Sequence, residues 1–126
     1  MIQGLHTIWC QTSDMERSVA FYRDVLGLKP GYVSEHWSEF DLGNGKLALH
    51  HQLEGAQSPL GSYLKGWVVG IQTDDVVGLR SKLESLGVKL HGGLHDIPTG
   101  VIFDFEDPDG NVLEAVQPGV TTQDLV

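Results

Sequence analysis

The sequence repeats itself at half its length. Thr12-Ser13-Asp14 and Leu26-Gly27-Leu28-Lys29 return as Thr73-Asp74-Asp75 and Leu86-Gly87-Val88-Lys89, at offsets of 61 and 60 residues. A repeat of this kind in a chain of 126 residues predicts two similar structural units. Ligand sites commonly form in the clefts between such units, so the predicted groove between them is the first place to look for function.

Each half has the same predicted order of elements: one strand, one helix and three strands. In the first half Ser13 and Glu16 have the spacing of a helix capping box, and Gly27 has the position of a helix stop. We therefore predict an α+β fold of two βαβββ modules whose paired sheets enclose a central cavity. The single domain 1–126 divides into module one (4–53), a linker (54–65), module two (66–118) and a tail (119–126), of which Thr121 to Val126 is expected to be loose.

Composition excludes several classes of partner. The chain has 17 acidic and 8 basic residues, and its net charge is -9. Nucleic acid and anionic membranes are therefore poor partners. Cys10 is the only cysteine, which excludes an internal disulfide and a cysteine-based zinc site. No signal peptide and no membrane-spanning apolar run is recognisable, so we expect a soluble cytoplasmic protein.

Four motifs resemble one known family. They are Leu5-His6-Thr7, Asp14-Met15-Glu16-Arg17-Ser18-Val19-Ala20-Phe21-Tyr22, Val25-Leu26-Gly27-Leu28 and Asp107-Pro108-Asp109-Gly110-Asn111-Val112-Leu113-Glu114. Together they resemble the vicinal oxygen chelate superfamily of glyoxalases, bleomycin resistance proteins and extradiol dioxygenases, over roughly residues 4 to 118. The resemblance implies a homodimer that binds a small molecule. It is less specific about activity, because one scaffold hosts many reactions.

The resemblance also implies a metal site. In the metal-using members the ligands come from the first and last strands of each module, and His6 and Glu114 match two of these positions. Trp67 and Ala48 match the other two positions, and neither side chain can coordinate a metal. His50 lies two residues beyond Ala48, on the same face of its strand, and could replace the missing ligand. The predicted set is His6, His50 and Glu114, which suits iron, zinc, nickel or manganese.

Other residues are candidates for catalysis and substrate contact. Glu114 lies in an apolar strand, where a carboxylate is costly to bury unless it is paired, protonated or bound to metal, so it is also the candidate catalytic base. The alternative is that Glu114 only bonds His6 in an empty site. Trp67 and Trp37 are predicted to line the substrate pocket, with Trp67 stacking on a flat substrate. Phe103 is a further pocket candidate, with packing as its alternative role.

Two functions remain open from the sequence. The first is a metal-dependent enzyme, of glyoxalase-like lyase, epimerase or dioxygenase type, that acts on a small oxygenated metabolite. The second is a metal-free binding protein of the bleomycin-resistance type, which holds a small molecule or antibiotic. The acidic charge and the tryptophans suit a cationic aromatic ligand. The pair His6 and Glu114 favours the enzyme.

Overall fold

The computed structural model describes residues 1–52, 66–106, 108 and 112–126. Within these ranges the predicted order of one strand, one helix and three strands occurs twice, which confirms the α+β class and the two βαβββ modules. The predicted linker 54–65 and most of the turn at 107–110 lie outside the described residues. The elements are β1 (Ile2–Thr12), α1 (Met15–Ala20), a π-helical turn (Phe21–Val25), β2 (Pro30–Val33), β3 (Trp37–Asp41), β4 (Lys46–His51), β5 (Trp67–Thr73), α2 (Val76–Ser85), β6 (Leu90–Ile97), β7 (Gly100–Glu106) and β8 (Val112–Pro118).

The chain forms two compact units. We call Thr7–Val68 the N-terminal unit, and Met1–His6 together with Val69–Val126 the C-terminal unit. In the N-terminal unit the strand order is β2-β3-β4-β1, with β1 parallel to β4 and the other pairs antiparallel. In the C-terminal unit the order is β5-β8-β7-β6, with β5 parallel to β8 and the other pairs antiparallel. The two half-sheets therefore repeat one topology.

Strand β1 is divided between the units. Its first residues belong to the C-terminal unit, where the backbone N–H of Asp74 donates to the carbonyl oxygen of Met1 at 3.3 Å. The side-chain amide of Gln72 donates to Oε1 of Gln3, also at 3.3 Å. From Thr7 onward the same strand belongs to the N-terminal unit and pairs with β4.

Both helices begin at an aspartate. Oδ1 of Asp14 accepts from the backbone N–H of Arg17 at 3.0 Å, and Oδ1 of Asp75 accepts from that of Gly78 at 2.9 Å. The predicted capping box at Ser13 is wrong by one residue, because Asp14 supplies the capping side chain. Gly27, with a φ of 73°, follows the first helical segment as predicted.

Each helix covers one face of its half-sheet with an apolar cluster. The α1 cluster contains Met15, Val19, Phe40 and Leu49, joined by Cys10, Tyr22 and Leu28. The α2 cluster contains Val76, Leu79, Val101, Phe103 and Ala115, joined by Ile71, Leu83, Leu90, Leu94, Phe105, Val120 and Leu125. Because side chains alternate along a strand, the neighbours of these residues on β4, β7 and β8 point to the opposite face of each half-sheet. Among the candidate residues, His50 and Trp37 lie on that face of the N-terminal half-sheet and Glu114 on that face of the C-terminal one, whereas Phe103 lies in the α2 cluster.

The tail at 119–126 is held in place, so the prediction that Thr121 to Val126 is loose is wrong. Val120 and Leu125 pack against the α2 cluster. The backbone N–H of Thr122 donates to Oδ1 of Asp96 at 2.8 Å, and its hydroxyl donates to Oδ2 at 2.7 Å. Apolar side chains within the polar tail, together with this carboxylate, anchor it to the C-terminal unit. No described helix is long and apolar enough to cross a membrane.

Gln117 stabilises the start of α2 from a distant strand. Its Oε1 accepts from the backbone N–H of Val76 at 2.9 Å, and this N–H is one of those that a helix leaves unpaired at its N-terminus. Replacing Gln117 with Ala is expected to lower the free energy of unfolding by about 1 kcal/mol, as removal of a capping acceptor does. Urea unfolding would measure the change. Gln123→Ala, at an exposed tail position, is the control, and equal losses in the two variants would contradict this role.

Candidate functional site

Two carboxyl side chains face each other across β7 and β8. Asp104 and Glu114 are directly opposite in the antiparallel register. Their neighbours Phe103 and Ala115 pack against α2, so both carboxyls point away from the helix. Only 3% of Asp104 is exposed. Glu114 is half-buried, so the pair consists of one buried and one half-buried carboxyl.

Burial and mutual repulsion hold a proton on this pair. Burial, with the negative charge and hydrogen bond of Asp104 adding to it, raises the pKa of Glu114 to about 8. Burial also raises the pKa of Asp104, an effect partly offset by the hydrogen bond with Glu114 and by the nearby His91 and His95. Two neighbouring carboxyl groups cannot both ionise easily at low dielectric. At neutral pH the pair therefore keeps one proton, which we assign to Glu114.

A third carboxyl at the edge of this face is in the opposite state. Nε2 of His91 and Nζ of Lys89 each lie 3.1 Å from Oε2 of Glu106. The hydrogen bond from Lys89 is the main cause that lowers the pKa of Glu106. His91 is also opposite Asp104 in the register of β6 and β7. The face thus carries the ionised carboxylate of Glu106 near the pair of Asp104 and Glu114, which keeps one proton.

The predicted ligand His50 lies in an aromatic cluster of the N-terminal unit. Its ring centroid is 5.7 Å from that of Trp9 and 5.9 Å from that of Trp37, and the two indoles are 6.2 Å apart. Nδ1 of His50 is 2.6 Å from the carbonyl oxygen of His51. A carbonyl oxygen can only accept, so Nδ1 carries a proton and Nε2 of the neutral ring is an acceptor.

Strand register identifies the equivalent positions in the two modules. Ala48 is opposite Glu39 on β3 and beside Trp9 on β1, whereas Glu114 is opposite Asp104 and beside Gly70. Ala48 is therefore the counterpart of Glu114, as the unshifted sequence alignment predicts. His50 pairs with Trp37 where Val116 pairs with Ile102, so Val116 is the counterpart of His50.

His6 is in the part of β1 that belongs to the C-terminal unit and is partly exposed. Within the N-terminal unit, Cys10 packs against the α1 cluster and Trp9 points to the other side of β1. Among the described residues, no group of three or more His, Cys, Asp or Glu side chains could hold a metal ion. The ligand set His6, His50 and Glu114 thus stays a prediction, and the group in contact with Glu114 is Asp104.

The predicted pocket residues have three different environments. Trp37 lies in the aromatic cluster, where its indole N–H donates to Oε1 of Glu39 at 3.0 Å. Trp67 is 46% exposed, and its ring meets that of Tyr22 edge-on at 6.4 Å. Phe103 is fully buried in the α2 cluster, so we assign it to the core, the alternative role that the sequence left open.

A cleft of about 360 Å³ lies at the start of α1 in the N-terminal unit. None of the predicted site residues lines it. Its lining residues are Ser13, Asp14, Met15, Glu35, His36 and His51.

Sequence reasoning missed Asp104 and Trp9. Asp104 interrupts the apolar run from Val101 to Phe105 as Glu114 interrupts its own, and that shared pattern was a usable signal. The sequence around Trp9 predicts only that it is a residue of a strand. Only the pairing of β1 with β4, and of β4 with β3, brings its ring to Trp37 and His50.

Comparisons with known proteins agree with this architecture. The family model "Glyoxalase/Bleomycin resistance protein/Dioxygenase superfamily" matches residues 4–115. The chain is 26% identical over 116 residues to the metallothiol transferase FosB of Shouchella clausii (strain KSM-K16), covering 90% of this chain and 80% of FosB. Methylmalonyl-CoA epimerase from Mycobacterium tuberculosis has a similar structure, with a TM-score of 0.75 and 17% identity, over 99% of this chain and 93% of the epimerase. The Mn(II)-bound glyoxalase from Novosphingobium aromaticivorans gives a TM-score of 0.64 and 22% identity, over 92% of this chain and 39% of the glyoxalase.

Proposed function

Because this chain belongs to the Glyoxalase/Bleomycin resistance protein/Dioxygenase superfamily, we propose that it is an enzyme that catalyses proton transfer to and from a small oxygenated metabolite. Glu114 is the acid–base group, and Asp104 is the partner that keeps its proton available. One observation carries the proposal. Burial and the adjacent Asp104 raise the pKa of Glu114 to about 8, within reach of neutral pH.

A carboxyl with such a pKa is suited to both directions of proton transfer. General acid–base catalysis is most efficient when the pKa of the group lies near the working pH. An exposed glutamate is almost fully ionised at neutral pH and is a weak base. Glu114 holds its proton more tightly, so it can donate a proton to a substrate oxygen or carbon and take one back.

The carboxyl pair favours lyase and epimerase chemistry over dioxygenase chemistry. Removing a proton from a carbon next to a carbonyl group and returning it needs one acid–base group close to that carbon. Insertion of dioxygen needs a redox-active metal as well. The proposed substrate is therefore a small compound with an acidic C–H bond beside a carbonyl oxygen.

A divalent metal at His6, His50 and Glu114 is the part of the sequence prediction that the described donors support least. No group of three donors is found in the described part of the chain, although the hydrogen bond from Nδ1 of His50 to a backbone carbonyl leaves its Nε2 able to bind a metal. We therefore assign the proton transfer to Glu114 and Asp104 alone. Elemental analysis of protein purified without chelator, with and without added iron, zinc, nickel or manganese, tests the ligand set.

The proposed reaction predicts hydrogen exchange on carbon. In D₂O the protein is expected to introduce deuterium next to the carbonyl group of at least one compound in a panel of 2-oxo acids and acyl thioesters, detected by proton NMR. The chelator-treated protein should retain this exchange, because the proton is carried by Glu114. Exchange that appears only after a metal is added would contradict the assignment to the carboxyl pair and favour the metal-dependent form.

The second candidate is a binding protein without catalysis. The observation that favours it is the cluster of Trp9, Trp37 and His50, which offers flat apolar rings with polar edges. Saturable binding of an aromatic antibiotic, with no exchange on any compound of the panel, would favour this role. The homodimer and the cytoplasmic location expected from the sequence remain proposals, and sedimentation velocity tests the first of them.

A further inference from the structure

The cleft at the start of α1 carries two histidines that the proposed reaction does not use. His36 and His51 both line this cleft of about 360 Å³. The backbone N–H of His51 donates to the carbonyl oxygen of His36 at 2.9 Å, which continues the pairing of Trp37 with His50 by one residue. The two histidines therefore lie opposite each other at the open end of the β3–β4 hairpin, and their side chains project from the same face.

This histidine pair lies on the helix side of the N-terminal half-sheet. Leu49, two residues before His51, packs in the α1 cluster, so alternation along β4 puts His51 on the side of α1. Met15, another member of that cluster, also lines the cleft. His50 points to the opposite side. The cleft is thus separate from the face of the half-sheet that carries the aromatic cluster.

No described group occupies the nitrogens of either imidazole. The ring centroids of His36 and His51 are 6.4 Å apart and the rings are steeply inclined, at 73°. Neither ring makes a hydrogen bond or ion pair with the described residues. Both side chains are exposed, so the rings are free to turn about their side-chain bonds. A neutral imidazole has one nitrogen with a free lone pair, so the pair offers two donors to a metal ion.

The remaining polar groups of the cleft add negative charge. Asp14 and Glu35 supply two carboxyl groups and Ser13 a hydroxyl, and no lysine or arginine is among the lining residues. The protein as a whole carries a net charge of -9. A cation in this cleft would therefore meet attractive charge from its walls and from the rest of the protein.

We propose that His36 and His51 bind a divalent transition-metal ion of the zinc, nickel or copper type, each through one ring nitrogen. Imidazole is a preferred ligand of these ions. Two nitrogens that share such an ion lie at most about 4 Å apart, since each is about 2.0 to 2.1 Å from it, and rotation of the two exposed rings can bring them within this distance. The described residues contain no group of three or more donors, so water completes the coordination.

This site is independent of the ligand set predicted from the sequence and of the proposed role of Glu114. It lies in the N-terminal unit, at the ends of two strands that supply neither His6 nor Glu114. Metal detected by elemental analysis would therefore not by itself identify His6, His50 and Glu114 as its ligands. Variants of both sets are needed to assign it.

Titration with Ni²⁺, followed by isothermal calorimetry at neutral pH, tests the proposal. His36→Ala and His51→Ala are each expected to weaken the binding of one equivalent of Ni²⁺ by at least about 10-fold, because loss of a group that only supports a metal ligand already costs 10- to 100-fold. His95→Ala removes an exposed histidine of β6 and is the matched control, which should bind as the unsubstituted protein does. Equal binding by all three variants would overturn the proposal.

A second measurement locates the ion without any variant, so it applies even if a substituted protein fails to fold. Cu²⁺ is paramagnetic and broadens the NMR signals of nearby nuclei. With substoichiometric Cu²⁺, the backbone amide signals of His36 and His51 are expected to lose intensity before those of the C-terminal unit. Earlier loss of the signals of His6 and Glu114, or no saturable binding of Ni²⁺, Zn²⁺ or Cu²⁺ by the unsubstituted protein, would exclude the site.

Discussion

Glu114→Gln is expected to slow proton exchange on the substrate by about 100- to 10,000-fold, the usual contribution of one acid–base group. Glutamine keeps the shape of the side chain and can still donate a hydrogen bond to Asp104, so the strand pairing of β7 and β8 should survive. It cannot accept or release a proton near neutral pH. The exchange rate in D₂O, measured by proton NMR, gives the effect directly.

Two further variants test whether Glu114 is the acid–base group. Asp104→Asn removes the negative charge that helps to hold the proton on Glu114, so the pH at which exchange is half-maximal should fall while Glu114 remains in place. Glu16→Gln, at an exposed position in the first turn of α1, should leave the rate unchanged. A Glu114→Gln protein that keeps more than about one tenth of the rate would exclude Glu114 as the acid–base group.

The stability of the protein is expected to fall as pH rises from about 5 to 8. The pKa of Glu114 is raised from 4.5 to about 8 in the folded state, so across this range the folded protein binds a proton that the unfolded chain has released. Stability falls with pH wherever the folded state binds more protons. Each pKa unit corresponds to about 1.4 kcal/mol, so this one proton accounts for a loss on the order of 4 kcal/mol.

Urea unfolding at pH 5, 6.5 and 8.5, for the unsubstituted protein and for Glu114→Gln, separates this effect from other titrations. The variant should lose markedly less stability over the range, because its amide does not titrate. The pKa values of Asp24, Asp96 and Glu106 are lowered in the folded state, so these groups contribute stability that is lost only at acidic pH. Parallel pH profiles for the two proteins would show that Glu114 is ionised in the folded state.

The repeat in the sequence predicts the fold because it reflects local chemistry. An aspartate that caps a helix and a glycine that follows it act within a few residues, and both occur in each module. The unshifted alignment also pairs Ala48 with Glu114, which the strand register bears out. These features depend on short-range rules, so one sequence is enough to recognise them.

The site was harder to predict, because it depends on which face of a strand each residue occupies. A shift of one residue moves a side chain from one face to the other. Phe103 lies on the α2 side of β7, whereas Glu114 points to the opposite side of β8. Motif spacing identifies these strands correctly but does not assign their faces.

The pairing of strands that are distant in the sequence is the other feature of the site that the sequence alone does not predict. Asp104 becomes significant only when β7 lies beside β8 and brings it to Glu114. His50 matches no ligand pattern of its own, and its indole neighbours come from two other strands. Both arrangements follow from strand order, which cannot be derived from either segment alone.

The division of β1 means that the compact unit of module two includes a strand segment from the start of module one. A fragment that stops in the linker would carry Met1 and Gln3 without Asp74 and Gln72, the residues that bond them. A fragment that begins after the linker would lack the strand segment that its own compact unit includes. The C-terminal unit is therefore complete only with residues from both ends of the repeat.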